Sequence, residues 1–286
     1  MTVEHSERAH ALLGASGASR WINCPPSARL TEHVPDKNSS FADEGTTAHE
    51  LSEIKLRRRI FPCDSKERKR LDTALAKLKK NQYYSEEMDH YTQVYVDYAE
   101  ERFMAAKAIS EDALSVLEAK IDFSDWVPEG YGTGDMVFVA DSVLELIDLK
   151  YGKGVPVSAI GNPQLRLYAL GAYASYGYLY DIQTVRMTIV QPRLDDISTE
   201  EIPLSDLLEW AETVVRPAAE LAFKGEGEFK AGIIANGVRS KAIAGPEPNR
   251  TWPPCPTNSA IRHCSRTTKS ALFYSLRKTL PPGRRT

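Results

Sequence analysis

The chain has 286 residues, of which 42% are hydrophobic and 26% charged, and a net charge of -3. That is enough for one large domain, or one domain with appendages, and apolar enough to bury a core, which excludes wholesale disorder. No apolar run approaches the roughly 18–20 residues of a bilayer span, the small-residue ALLGASGASR segment is too short for a signal-peptide core, and four cysteines (Cys24, Cys63, Cys255, Cys264) make no disulfide framework in a chain this long. A soluble, cytoplasmic protein without a membrane partner is expected.

In chain order, Thr47-Ala48-His49-Glu50 reads as a capping box with Thr47 as N-cap, opening a helix to about Arg59. Charged helical patterns follow at Ser65–Lys80 and Ser85–Ala108; in the second, Tyr91, Val94, Tyr95, Tyr98 and Phe103 form an apolar stripe expected to face the core. Three strands are predicted at Leu114–Phe123, Tyr131–Ala140 and Val143–Lys150, the last two joined as a hairpin across Asp141-Ser142. Asn162-Pro163 supplies an N-cap and a Pro at N1 for a helix to about Tyr178. Gln183–Gln191 reads as a strand and Ser205–Ala222 as a closing helix. The fold class is therefore α/β, a mixed central sheet flanked by helices with a helical N-terminal lead-in.

Charge divides the chain further. Residues 231–286 hold ten Lys/Arg against one acid, Glu247, and seven of the 17 prolines, whereas residues 1–230 carry a balance of -12. Residues 1–230 are expected to be the folded unit and 231–286 a basic, Pro-rich, poorly ordered tail.

Chemistry concentrates on the second and third predicted strands, at Gly132–Asp135 and from Val143 to Lys150. Asp148 and Lys150, two apart on a strand, point to one face; a carboxylate there can bind Mg²⁺, and the ammonium beside it can orient water or meet charge on a phosphate. Asp135, on the partner strand of the hairpin, can supply a second carboxylate. An edge salt bridge is the plainer explanation of Asp-x-Lys alone. His49 and Glu53 share a helix face at a spacing that suits metal ligation, although a packed histidine would look the same. Gln164 and Tyr168, again four apart, can hydrogen-bond a carboxylate, a phosphate or a base, or simply each other.

Taken as an ordered set, these residues resemble the RecB-type branch of the PD-(D/E)xK nuclease superfamily. The matching motifs are Gly45-Thr46-Thr47-Ala48-His49, Gly132-Thr133-Gly134-Asp135, Asp148-Leu149-Lys150 and Gln164-Leu165-Arg166-Leu167-Tyr168. With Arg20-Trp21-Ile22-Asn23-Cys24-Pro25 at the start, the likeness covers about residues 10–230 and extends to phage and prophage RecB-like nucleases related to the CRISPR-associated exonucleases. It implies a PD-(D/E)xK core and a Mg²⁺- or Mn²⁺-dependent deoxyribonuclease, in particular an exonuclease of phage recombination or repair, with DNA and a recombination protein as partners. It makes His49, Asp135, Asp148 and the Leu149 carbonyl metal ligands, Lys150 the residue that positions or activates the attacking water, and Gln164 and Tyr168 supports; Glu53 joins this set as a helical neighbour of His49. A nuclease fold without turnover, serving as a DNA- or partner-binding module, is the alternative.

Many members of this branch hold an iron–sulfur cluster with one early and three late cysteines. Cys24 stands at the early position, but the late spacing is missing: Cys255 and Cys264 are nine apart, and Ala235, Val238 and Ala244 stand where a one-base frameshift could have removed cysteines. The sequence therefore predicts no cluster, with Cys24 as its remnant.

Overall fold

A computed structural model describes residues 11–32 and 40–230, all within the first unit of the chain, Met1–Arg239. The expectations for the basic tail, including Cys255 and Cys264, lie outside the described residues.

Eight α-helices and five strands are formed by the described residues. Two short helices, α1 (Ala18–Asn23) and α2 (Ser27–Leu30), lead into α3 (Ser40–Ile60), α4 (Ser65–Leu78) and α5 (Glu86–Ile109). Then come β1 (Leu114–Asp122), β2 (Tyr131–Ala140), β3 (Val143–Leu149), α6 (Pro163–Tyr176), β4 (Thr184–Gln191) and β5 (Asp196–Pro203). The chain closes with α7 (Leu204–Trp210), a π-type turn over Ala211–Val215, and α8 (Arg216–Lys224). Local chemistry sets several starts: Asp64 accepts from Glu67 N–H, Ser85 from Met88 N–H, and Asn162 from the N–H groups of Gln164 and Leu165, with Pro163 in the first turn.

Two expectations need correction. The capping box at Thr47 does not exist, because α3 begins seven residues earlier. The Thr46 and Thr47 hydroxyls instead donate to the carbonyls of Ala42 and Asp43 one turn back, at 3.0 and 2.9 Å, a use of threonine compatible with a helix interior. The strand β5 has no counterpart in the predicted elements. Its sequence, DISTEEIP, carries two isoleucines among acids and hydroxyls, so its β propensity is low and its stability comes from pairing with β4. The expected closing helix is present but is interrupted by the π-type turn.

The sheet order is β1-β2-β3-β4-β5, with β3 and β4 parallel and every other pair antiparallel. The expected mixed sheet flanked by helices is therefore what the chain forms. The helix α6 is the crossover between the parallel strands, since such a pair cannot be joined by a tight turn. One face of the sheet packs α6, α7 and the N-terminal residues around Ile121, Val137, Leu146 and Ile189. The other face packs α3 and α5 on Leu117, Met136, Phe138, Ile147 and Leu149, through Leu56, Tyr95, Val96 and Ala99. The apolar stripe of α5 thus faces inward, with one exception: Val94 points outward and is 38% exposed. Among the described residues no helix is long and apolar enough to cross a membrane.

Candidate metal and catalytic site

A break in strand alternation builds the site. In β1, Leu114 and Val116 pack on the α6 face and Leu117 on the α3–α5 face, yet Ala119 and Ile121 return to the α6 face. The change of parity falls at Glu118, whose φ of 51° is in the left-handed region that a non-glycine residue adopts at a cost. The neighbouring strand changes at the same level. A Cβ on Gly134 would point at Ile121, Met136 faces α5, and Val137 returns to the α6 side. The register pairs Leu117 with Met136 and Ala119 with Gly134, so Glu118 and Asp135 stand opposite one another between them. Both carboxylates are thereby directed to the helix that carries His49.

The distances follow from that arrangement. His49 Nδ1 lies 3.1 Å from Asp135 Oδ1, and the Leu149 N–H donates to Asp135 Oδ2 at 2.7 Å. The β2–β3 ladder runs only as far as Met136 opposite Ile147, so the Asp135 carboxylate takes the donor that a ladder carbonyl would otherwise hold. Ligand atoms of His49, Glu118 and Asp135 all lie within 4.8 Å of one another. Beside them, Lys150 Nζ lies 2.8 Å from Asp148 Oδ2 and donates to Gln164 Oε1 at 3.2 Å, while Gln164 Nε2 donates to the Tyr168 hydroxyl at 3.4 Å. The Lys150–Asp148 approach is ionic but off the line of a hydrogen bond, leaving Asp148 Oδ2 buried without an aligned donor.

The same geometry sets the charges. Burial opposes ionisation of Asp135, but the His49 ion pair and hydrogen bond, the Leu149 N–H and Lys150 outweigh it and hold its carboxyl below the usual range. Asp148 moves the other way: burial and the Asp135 charge outweigh Lys150 and push it up. Burial lowers His49, yet Asp135 and then Asp148 raise it further, to about 9. Burial first, then the Asp135 and Glu53 charges, push Glu118 up to about 7. Burial also disfavours the Lys150 ammonium, but Asp148 and Asp135 more than restore it, so Lys150 is raised and stays a cation at neutral pH. The protons on His49 and Lys150 supply the positive charge that the clustered carboxylates require.

Of the residues expected from sequence, His49, Asp135, Asp148, Leu149, Lys150, Gln164 and Tyr168 form this one site. Leu149 reaches it through its N–H. Glu53 lines the same concavity as His49, Glu118 and Asp135, but its Oε1 accepts from Arg57 Nε at 2.8 Å. Cys24 belongs elsewhere: it is the C-cap of α1, buried and unbridged, and its sulfur accepts from Lys230 N–H at 3.4 Å.

Two residues were missed. Glu118 reads as an ordinary outward residue of an alternating strand, and only the parity change turns it inward. Tyr95 reads as core, and it is; its hydroxyl is nonetheless buried without a hydrogen-bond partner and lines the concavity beside Asp135. Burial and the surrounding carboxylates push that phenol well up, so it remains a neutral donor.

The donor set of carboxylates and one imidazole, with a buried Asp148 oxygen that has an ion pair to Lys150 but no aligned hydrogen-bond donor, fits a hard divalent cation. The chain belongs to the family described as "Protein of unknown function (DUF2800)", whose model matches residues 10–244. Among solved structures it is similar to the crystal structure of SSO0001, at 16% identity over 77% of this chain and 94% of that one, with a TM-score of 0.25.

Proposed function

We propose that this protein is a Mg²⁺- or Mn²⁺-dependent deoxyribonuclease with a PD-(D/E)xK core, in particular an exonuclease of phage recombination or repair. The observation that carries the reading is the meeting of Asp135, Asp148 and Lys150 at the β2–β3 end, with His49 and Glu118 closing the same cluster. A half-buried charged lysine held between a carboxylate and a glutamine has no packing role that a neutral residue could not fill more cheaply. Asp135, Asp148, His49 and Glu118 would hold the cation, with the Leu149 carbonyl as the further ligand that the family resemblance implies. Bound there, the cation would acidify a water and offset charge on a phosphodiester.

The chain's own residues do the rest. Asp148 and Gln164 fix the Lys150 ammonium, which remains protonated and therefore acts as a donor and a local positive charge, not as a base. Tyr168 holds Gln164, and Gly132 lets it do so closely, since a Cβ there would stand 2.8 Å from the Tyr168 ring. The Tyr95 hydroxyl offers a hydrogen bond to the Asp135–Glu118 side of the site.

Incubation with linear and circular DNA, with Mg²⁺ or Mn²⁺ and with chelator, tests the reading. Metal-dependent loss of linear DNA is expected, abolished by Asp148→Asn and by Lys150→Ala with both variants folded. Weakened Mn²⁺ binding is expected for Asp148→Asn only. Cleavage within a few-fold of wild type in either variant would refute the site, and binding of DNA without turnover would favour the binding-module alternative.

A further inference from the structure

The body of the chain is acidic, yet residues 65–80 of α4 and the turn after it hold seven cations, Lys66, Arg68, Lys69, Arg70, Lys77, Lys79 and Lys80, against Glu67 and Asp72. This helix rests on α3 along one side, through Leu71 and Leu78 against Ile54, and between the two helices runs a cleft of about 700 Å³. Its floor is apolar, with Ile54, Leu71, Ala74 and Leu78. Its acids are Glu50, Glu53 and Glu67, and its cations Arg57, Arg70, Lys77 and Lys80.

These charges do not cancel evenly. Glu53 is held by Arg57 at 2.8 Å, and Glu67 faces Arg70 at 3.7 Å. Lys77 and Lys80 are exposed and have no ion pair within the described residues. Glu50 is then the acid left opposite two free ammonium groups. The cleft also borders the site: Glu53 lines both it and the concavity formed by His49, Glu118 and Asp135. A cleft with one more cation than acid in its lining thus adjoins the candidate metal site, on a body whose overall balance is acidic.

We propose that the α3–α4 cleft binds a single nucleic-acid strand through its phosphates and leads it to the His49–Asp135–Asp148 site. This rests on the nuclease reading above and adds the path of the substrate. A cleft of this size encloses a ligand of drug-like bulk, which is a few nucleotides of one strand and not a duplex. The apolar floor and absence of aromatic side chains among the lining residues suit backbone tracking without base stacking, and so without sequence preference. Lys77 and Lys80 make the phosphate contacts, and the Arg57–Glu53 pair marks where the cleft meets the site.

The test uses the full chain in chelator, so that nothing is cleaved, and a fluorescein-labelled 12-nucleotide oligothymidylate read by anisotropy over a range of salt. The Lys77→Glu/Lys80→Glu variant removes two phosphate contacts. The slope of log affinity against log salt should then shrink by about 1.4, from about 0.7 per phosphate for a single strand, with affinity at least tenfold lower. Mn²⁺ binding and the melting temperature should stay as in wild type, because both side chains are exposed. Lys224→Glu/Lys230→Glu makes the same charge change on exposed side chains elsewhere, at the end of α8 and beyond, and should leave the slope unchanged.

An unchanged slope in the cleft variant, or an equal change in the control, overturns the cleft; if wild type still cleaves DNA, the nuclease reading survives that result. Preferential binding of a 12-bp duplex, lost in the same variant, also overturns the single-strand assignment. A wild-type protein that neither binds the strand nor cleaves DNA removes both.

Discussion

Gly171, in the middle of α6, decides how close that helix comes to the sheet. A Cβ built there would lie 2.3 Å from Ile121 Cγ2 and 2.7 Å from the Asp122 carbonyl oxygen, where carbon contacts ordinarily settle at about 3.5–4.0 Å. Ile121 cannot retreat, because it is 2% exposed and its Cδ1 already fills the space over Gly134. Gly171→Ala must therefore lift α6 away from β1. Alanine gains about 1 kcal/mol of helix propensity over glycine, against an overpacking cost of about 1–3 kcal/mol that a collision with backbone pushes to its upper end or beyond. A net loss of about 2 kcal/mol is expected, or a melting temperature lower by about 4–8 °C for a domain of this size. The helix also carries Gln164 and Tyr168, so under the proposed nuclease function DNA cleavage should fall more than the folded fraction accounts for. Thermal and urea unfolding of Gly171→Ala, Ile121→Ala and the double variant check this, with the double less destabilised than the sum because removing Cγ2 relieves half of the collision. A Gly171→Ala variant as stable as wild type, or more so, would refute the close-packing argument.

Other outcomes concern the site itself. Glu118→Gly removes a left-handed non-glycine residue and a half-buried carboxylate; such strain costs about 1–3 kcal/mol, so at about 2–4 °C per kcal/mol the metal-free variant should melt at least about 2 °C higher while binding Mn²⁺ more weakly. A lower melting temperature would refute the strain at Glu118, and Mn²⁺ binding as tight as in wild type would separate Glu118 from the metal set. In metal-free protein, His49 is raised from 6.5 to about 9, so its contribution is complete below pH 6.5 and is lost as pH rises towards 9. Glu118, raised from 4.5 to about 7, becomes costly to bury as pH rises through that interval. Both act in one direction, so the melting temperature in chelator should fall between pH 5 and 9. A divalent cation requires ionised carboxylates and neutral imidazole, so the stabilisation by Mg²⁺ should be larger at pH 8 than at pH 6. A flat profile in chelator, or a cation effect that shrinks with pH, would contradict the assignment of His49 and Glu118.

Much of this architecture is legible in the amino-acid sequence. The cap at Asn162 announces a helix because its side chain meets N–H groups two and three residues away, an interaction confined to one stretch of sequence. Runs such as Val143–Leu149 announce strands because apolar side chains must be buried whatever lies across from them. Asp148 and Lys150 share a site by simple alternation, and Gln164 and Tyr168 by the helical repeat. Where local chemistry had two uses, the sequence was ambiguous: Thr47 can cap a helix or bond back within one, and only the residues ahead of it entering α3 decided. The strand β5 exists because β4 offers a free edge to a segment of low strand propensity, which is a property of the sheet. Glu118 shows the limit most plainly. Alternation places it outside, and it enters the site because both β1 and β2 change parity at one level, bringing two carboxylates to His49 across separations of 69 and 86 residues in the sequence. Pairing between distant segments determined that, and no local pattern of apolar and polar residues records it.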